Sequence, residues 1–271
     1  MIAAIPATLA QADELVLRDS LELGFDQAYR NDTLALRDPH VFVNVQVLGC
    51  VDFTDTPIPL TDISLNNQLT AALNGDADSD TFLDLSPIIT VDLLDASGIG
   101  QMLTQFNAQC LAPAPAMNCT VAPPLPPTVA SDNLDSGICL QALAATTSGY
   151  TPPVPQTQAP CWVSDEVDLT VPFGDLAIPL TAARSAYRWV DSGVSLDNGL
   201  ISGFLRESDA DQLLLPADLP LIGGQPLSII LPGGNGNCAA GDDRDTFNGE
   251  SGWWFYFSAT ALPVQVDIAA P

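Results

Sequence analysis

Apolar and polar residues alternate over several stretches of the chain, and this period of two is typical of half-buried β-strands. In HVFVNVQVL, residues 40–48, the apolar positions Val43, Val45 and Val47 alternate with polar ones. The same pattern, rich in β-branched and aromatic residues, recurs at 88–94, 166–180, 185–190 and 253–268. It predicts a mainly β chain, folded as an antiparallel β-sandwich.

Proline and capping residues refine this prediction. Pro172 and Pro179 predict strand ends, edges or bulges at their positions. Ser208 followed by Asp211 approximates a capping box and predicts a short helix. A second short helix is predicted after Pro226 in QPLSIIL. We therefore expect one or two short helices beside the strands.

Two segments resemble each other when they are aligned without gaps. SLNNQLTAALNGDADSDTFLDL begins at Ser64 and SLDNGLISGFLRESDADQLLLP begins at Ser195, and a copy of IPLT precedes each. The shared residues predict an internal duplication whose common content is a strand, a polar turn and a return to the core. Convergent Leu, Asp and Ala patterning is the alternative explanation.

The repeat and changes in composition divide the chain into four parts. Residues 1–12 carry a short apolar stretch and the small-x-small pattern Ala10-Gln11-Ala12, which predicts the remnant of a secretory signal peptide. An ordinary first strand or a frayed terminus is the alternative. The remaining parts are a first β repeat unit at 13–110, a Pro-rich, disulfide-stapled excursion at 111–162, and a second β repeat unit at 163–271 packed with the first.

The charge balance restricts the partners of the chain. There are 33 acidic residues against seven basic ones, all arginine, and the formal net charge is −26. This field repels phosphate backbones, so we expect no nucleic-acid partner. The apolar stretches are interrupted by Asp, Gly and Pro, so we also expect no membrane span. Self-association and polysaccharide binding stay open as partner classes.

The six cysteines agree with export. An even number in an apparently exported chain predicts disulfides, and six cysteines allow 15 pairings. Two loops bracketed by cysteines favour Cys110–Cys119 and Cys139–Cys161, which leaves Cys50–Cys238. Together with residues 1–12, these cysteines predict a protein that is secreted or displayed on the cell surface, in an oxidising compartment.

A cluster of acids lies in NGDADSDTFLD, residues 74–84. Asp76, Asp78 and Asp80 stand at relative positions 1, 3 and 5, Phe82 offers a carbonyl at position 7, and Asp84 stands at position 9. Over about eleven residues this resembles the DxDxDG-type calcium loops of EF-hands, dockerins and thrombospondin type 3 repeats. The resemblance implies a calcium site with these five residues as ligands.

The resemblance has two departures. Position 6 is Thr81 instead of the glycine that makes the sharp turn, and position 12 is Pro87 instead of a bidentate glutamate. The alternative is a solvated turn in which the aspartates form Asx-turns.

A weaker candidate metal site contains Asp242, Asp243 and Asp245. These acids lie in the same stretch as Trp253 and Trp254, so an acidic and aromatic ledge for sugar binding is a second interpretation. We favour a third, in which a disulfide-tied loop leads into a core strand, because Trp-Phe strands are commonly core.

Catalytic signatures are few. The sequence has no G-x-S-x-G, P-loop, G-x-G-x-x-G or H-E-x-x-H motif, and its single histidine, His40, is predicted to lie at the surface. We therefore predict no catalytic residue and expect an exported, non-catalytic structural or binding protein, stabilised by disulfides and calcium. The alternative is a secreted carbohydrate-binding or glycoside hydrolase-like sandwich, since that chemistry needs only two carboxylates in a cleft.

Overall fold

The computed structural model of the protein describes residues 27–45, 48–58, 63–92, 99–122, 129–173, 176–190, 195–217, 219, 221–236, 238 and 241–268. Strands account for 52% of it and helices for 9%, so the prediction of a mainly β chain is confirmed. The predicted signal-peptide remnant at 1–12 lies outside the described residues.

The described part of the chain contains 17 strands. In chain order they are β1 (Gln27–Asp38), β2 (Phe42–Val45), β3 (Gly49–Asp52), β4 (Pro87–Asp92), β5 (Ile99–Asn107), β6 (Gln109–Cys110), β7 (Asn118–Val121), β8 (Val129–Leu134), β9 (Ile138–Leu140), β10 (Thr157–Gln158), β11 (Cys161–Ser164), β12 (Val167–Phe173), β13 (Leu176–Val190), β14 (Ser195–Arg206), β15 (Asp245–Phe247), β16 (Glu250–Pro263) and β17 (Gln265–Ile268).

Most of the long strands form one antiparallel sheet. Its order is β1-β4-β5-β8-β11-β13-β14-β16-β15, and β12 pairs with the first half of β13. Strand β1 also pairs with β16, so that Tyr29 faces Ile89 of β4 on one edge and Pro263 of β16 on the other. The path of paired strands therefore returns to β1, and the sheet curls into a half-barrel. Three small sheets, β2–β3, β9–β10 and β6–β7–β17, lie beside it.

The core strand predicted at the end of the chain is confirmed. Trp253, Phe255 and Phe257 of β16 enter the main core, which also receives side chains from β1, β4, β11, β13 and β14. Trp254 and Tyr256 point to the other face and enter a second cluster with Cys139 and Cys161. Because both faces of β16 are buried, its five consecutive aromatic residues are all core residues.

The strand predicted at 166–180 contains two prolines, Pro172 and Pro179, and both lie away from the middle of the large sheet, as expected. Pro172 lies in β12, which pairs with β13 alone among the described strands. Pro179 lies in the part of β13 that pairs with β12, before the first β13–β14 pair at Thr181. Neither proline removes a hydrogen bond from the middle of the large sheet.

The longest helix of the described chain was not predicted from the sequence. Helix α1 (Leu65–Asn74) begins after Ser64, whose side chain accepts a hydrogen bond from the backbone amide of Asn67. Leu69 and Leu73 are buried, and their spacing from Leu65 is the helical period of about four residues. The strand expected in this segment is therefore wrong.

The aligned second segment folds differently. Residues Ser195–Arg206 form β14, paired with β13 on one edge and β16 on the other. One copy is thus a helix where the other is a strand, and the predicted structural repeat is wrong for these segments. The large sheet takes strands from 13–110, 111–162 and 163–271 alike. The division into those units stays a prediction.

The two helices predicted in the second half are present with one change. Helix α2 (Glu207–Ala210) begins after Arg206 without a side-chain cap, so Ser208 is not its capping residue. A short 3₁₀ helix, Leu227–Ile230, begins after Pro226 as predicted. Within the described residues, neither helix α1 nor α2 has the length and apolar character needed to cross a membrane.

Three disulfides cross-link this fold. They are Cys50–Cys238, Cys110–Cys119 and Cys139–Cys161, the pairs that the loop lengths favoured. Cys110–Cys119 links β6 to β7, Cys139–Cys161 links β9 to β11, and Cys50–Cys238 links β3 to the segment before β15. The last bond closes a loop of 188 residues.

Removing Cys50–Cys238 should cost more stability than removing Cys110–Cys119. In the chain-entropy model, opening the 188-residue loop costs about 5 kcal/mol and opening the nine-residue loop about 3 kcal/mol. Guanidinium unfolding of the two paired Cys→Ala variants measures both values. Cys110 and Cys119 are buried, so a larger loss at that pair would show that packing outweighs chain entropy in this fold.

Candidate metal site and a buried carboxyl pair

The Asp-rich loop is held between helix α1 and the β6–β7 hairpin. The backbone amide of Leu83 donates to the carbonyl of Cys110 at 2.9 Å, and that of Leu85 donates to Ala72 at 2.9 Å. Both leucines are buried. The predicted return of this segment to the core is therefore confirmed. The two hydrogen bonds attach the end of the loop to β6 and to α1.

A buried arginine fixes the end of α1 from which the loop departs. Arg30 is fully buried, and its Nη1 donates to the carbonyl of Leu73 at 2.8 Å. Burial lowers the pKa of Arg30, and the charge of Asp32 opposes this. A cation at a helix C-terminus interacts favourably with the helix dipole. Nothing local in the sequence marks this role of Arg30, since the carbonyl that it reaches lies 43 residues away.

Glycine is required where the chain leaves α1. A Cβ atom on Gly75 would lie 2.7 Å from the carbonyl oxygen of Ala71. That is closer than a side-chain carbon can approach a backbone oxygen, so any other residue would push the loop away from the helix.

Three of the four predicted aspartates converge. One carboxylate oxygen from each of Asp76, Asp78 and Asp84 lies within 4.8 Å of the other two. Calcium binds oxygen ligands at about 2.4 Å, so ligands on opposite sides of one ion are about 4.8 Å apart. The triad can therefore hold a metal ion without a large rearrangement. Asp78 and Asp84 are exposed and Asp76 is half-buried, which leaves room for water ligands.

Asp80 lies outside the converging set. Its carboxylate accepts a hydrogen bond from the amide of Phe82 at 2.8 Å, and its own amide donates to Asp76 at 3.0 Å. Phe82 forms an isolated β-bridge with Leu111. The roles of Asp80 and Phe82 as ligands stay predictions.

Thr81 reproduces the conformation of the glycine that the calcium-loop pattern requires. Its φ is +81°, in the left-handed region, and its amide donates to Asp76 Oδ2 at 3.0 Å. Ser79 also has a positive φ, of +63°. The first departure from the pattern therefore changes the residue but keeps the turn, at the cost of strain on a β-branched side chain.

The backbone hydrogen bonds alone do not distinguish a metal loop from a solvated turn. The amides of Asp80 and Phe82 donate to the aspartates two residues before them, as in Asx-turns. A solvated turn does not, however, require three carboxylates to approach one another. Their convergence in an already acidic protein is the feature that favours a cation.

The weaker candidate site is arranged differently. Both carboxylate oxygens of Asp242 accept hydrogen bonds from the Arg244 guanidinium at 2.9 Å, which lowers the pKa of Asp242 to about 2. Within the described chain, the carboxylates of Asp242, Asp243 and Asp245 do not converge on a common point.

Ser148 bridges Asp243 to Asp38, a residue that the sequence did not single out. The amide of Ser148 donates to Asp38 Oδ2 at 3.0 Å, and the Ser148 hydroxyl is hydrogen bonded to Asp243 Oδ1. Two acids of like charge are therefore held on either side of one serine.

The surroundings of Asp38 favour its protonated form. Burial raises the pKa of Asp38 to about 7, and the charge of Asp243 adds to the effect. Burial also raises the pKa of Asp243, although the hydrogen bond from Ser148 opposes this. Like charges close together disfavour double ionisation. Asp38 therefore keeps its proton to a higher pH than an exposed aspartate does.

His40 lies next to this pair and is buried, so its predicted surface position is wrong. It is 3% exposed, its Nδ1 lies 2.6 Å from Asp52 Oδ2, and its ring stacks on Tyr150 at 4.0 Å. Burial acts to raise the pKa of Asp52, but hydrogen bonds from His40 and Thr54 lower it. A histidine enclosed in this way is not placed to meet a substrate.

The aromatic ledge considered for sugar binding is not exposed. Trp253 is 0% exposed and Trp254 is 7% exposed, so neither indole offers a stacking face. A depression of about 460 Å³ elsewhere contains Glu250, Arg206 and Phe247. There the Glu250 carboxylate is paired with Arg206 at 2.6 Å.

Comparisons with known proteins add no assignment: no protein-family model matches the chain, and no match is found among curated proteins or solved structures. The function has to be inferred from the residues of this chain.

The carboxyl pair should make the fold less stable as the pH rises. The folded state holds the Asp38 proton up to about pH 7, whereas an unfolded chain releases it near 3.8. The contribution of the raised Asp38 pKa to the free energy of unfolding is complete below about pH 4 and is lost as the pH rises through about 7. We expect Tm to fall by on the order of 5 °C between pH 5 and pH 8.

Asp243→Asn should reduce that fall, because it removes the carboxylate charge that adds to the effect of burial on the pKa of Asp38. Asp168→Asn, at an exposed position of β12, is the matched control. An equal fall in the wild type and in both variants would contradict the contribution of Asp243 to the raised pKa of Asp38.

Proposed function

We propose that this chain is an exported, non-catalytic structural or binding protein of the cell surface or extracellular space, in which the Asp-rich loop holds a calcium ion. The observation that carries the proposal is the convergence of Asp76, Asp78 and Asp84 within 4.8 Å. Hard oxygen ligands, without histidine or cysteine, suit calcium better than a transition metal.

The disulfides support export. All six cysteines are paired, and bonds of this kind persist in oxidising compartments. The formal charge of −26 agrees with a role outside the cell, where calcium is plentiful enough to fill a weak site.

The state of the reactive side chains supports a non-catalytic role. His40 is enclosed by Tyr150 and Asp52, and Asp38 is 2% exposed. Asp38, whose pKa is raised to about 7, is therefore enclosed in the fold and not presented to a substrate. Glu250, in the depression near β15, is neutralised by Arg206.

Calcium would act here as a structural ion. The loop connects α1 to the core strand β4 and touches the disulfide-linked β6–β7 hairpin through the Leu83 amide. An ion bound by the triad offsets the mutual repulsion of three carboxylates and keeps these elements together. The remaining ligand positions would be taken by water or by nearby carbonyl oxygens.

Calcium should raise the thermal midpoint of the protein, and EGTA should return it to the metal-free value. Binding to the folded state alone raises Tm by about 5–10 °C when calcium is about 100-fold above its Kd. Differential scanning fluorimetry with calcium, magnesium or EGTA measures the shift. Magnesium should act more weakly, because it requires near-ideal octahedral geometry.

Asp78→Ala should abolish the calcium response, because it removes one member of the triad. Asp135→Ala, which removes an exposed carboxylate outside the loop, should keep it. The calcium assignment fails if wild type does not respond, or if Asp78→Ala responds as fully as Asp135→Ala.

A further inference from the structure

A cavity of about 280 Å³ lies between β12 and the part of the large sheet formed by β1, β4, β5 and β14. Its apolar wall includes Leu34, Ile89, Val171 and Ile201, each 5% exposed or less. These four side chains come from four strands, so the rigid sheet fixes the shape of the cavity.

The lining has no charged residue, although the protein carries a formal charge of −26. An anionic ligand such as a carboxylate would find no cation in this wall and would be repelled by the net field of the protein. A cationic ligand would lose its hydration without gaining a carboxylate partner. The lining therefore selects a neutral molecule.

The size of the cavity limits that molecule. An apolar cavity of about 150 Å³ is large enough to take up benzene. The present cavity is nearly twice as large, which suits two linked ring systems, such as a naphthyl and a phenyl group, or an aliphatic molecule of similar volume. Ligand sites of this kind are mostly apolar, with a few polar groups that orient the ligand.

Two amide side chains supply such polar groups. Asn31 Oδ1 accepts a hydrogen bond from the Tyr187 hydroxyl at 2.9 Å, and Gln105 Nε2 donates to Ser185 Oγ at 2.9 Å. These bonds fix both amides, while the Asn31 Nδ2 donor and the Gln105 Oε1 acceptor take no part in them. A ligand hydroxyl or carbonyl can therefore be oriented by the wall.

The cavity is also open to solvent. Thr170 of β12 and Asn107 of β5 belong to its lining and are exposed. Among the described strands β12 pairs with β13 alone, so the cavity wall that it forms lies at an edge of the sheet. A small molecule can therefore enter without unfolding of the main core.

We propose that this cavity is a binding site for a neutral, mostly apolar small molecule that carries one hydrogen-bonding group. The site is formed by β1, β4, β5, β12 and β14 and shares no residue with the Asp-rich loop. It gives the protein a ligand-binding role that does not depend on calcium.

Two fluorescent probes that differ in charge test this proposal. N-Phenyl-1-naphthylamine is neutral, and 1-anilinonaphthalene-8-sulfonate has the same rings with an added sulfonate. Titration of the full chain should show saturable enhancement with one neutral probe per protein. The anionic probe should bind at least about tenfold more weakly, because the site lacks a cation. Equal binding of both probes would overturn the proposal, as would absence of neutral-probe binding.

Variants locate the bound probe. Val171→Phe fills the cavity and Thr170→Trp covers its opening, and each should weaken the neutral probe at least about tenfold. Ile138→Phe enlarges an exposed apolar residue outside the cavity and should leave binding unchanged. Far-ultraviolet circular dichroism and Tm show whether each variant is folded. If Val171→Phe does not fold, Thr170→Trp alone tests the site. If a folded Thr170→Trp protein binds the neutral probe as tightly as the wild type does, the probe lies outside the cavity and the proposal is wrong.

Discussion

The first described strand, β1, is the constraint on which the rest of the fold depends. It pairs with β4 and with β16, and the second pairing joins residues more than 200 positions apart, such as Leu34 and Ala259. It also holds helix α1 at both ends. The side chain of Asn66 exchanges hydrogen bonds with the backbone of Leu36 at 2.8 and 3.1 Å, and Arg30 reaches the carbonyl of Leu73. One strand thus closes the sheet, positions the helix and sets the start of the Asp-rich loop.

This arrangement explains how a chain with so few cations tolerates its acids. Arg30 is buried at a helix terminus, and Arg244, Arg188 and Arg206 pair with surface carboxylates. The remaining acids use other means. The loop aspartates accept hydrogen bonds from backbone amides, and burial raises the pKa of Asp38 to about 7. Protonation of a buried carboxyl group is less costly than burial of its charge, which is why Asp38 is tolerated in the interior.

The strands could be predicted because burial of one or both faces leaves a direct signature in the sequence, as in β4 and β16. Helix α1 was missed because its aligned partner, from Ser195 onward, is a strand. The segment from Ser195 onward is a strand because it pairs with β13 and β16. The segment from Leu65 onward is a helix, and it buries Leu69 and Leu73 on the side that faces β1. The Asp triad could be found because its members are close in sequence. The Asp38–Ser148–Asp243 contact could not, since its members lie about a hundred residues apart and nothing local marks them.

The two aligned segments also show why the same residue type takes different roles. Asp80 and its aligned counterpart Asp211 both follow an alternating acidic pattern. Asp211 binds Ser228 and Asn235, which anchors the 3₁₀ helix, while Asp80 orders the turn through the amide of Phe82. The chain itself holds that turn, since Thr81 has the left-handed φ and Asp76 accepts two backbone amides. The end of the loop is also hydrogen bonded to α1 through Leu85 and to the Cys110–Cys119 hairpin through Leu83. The approach of the three carboxylates is therefore a consequence of the fold around the loop and of its backbone hydrogen bonds.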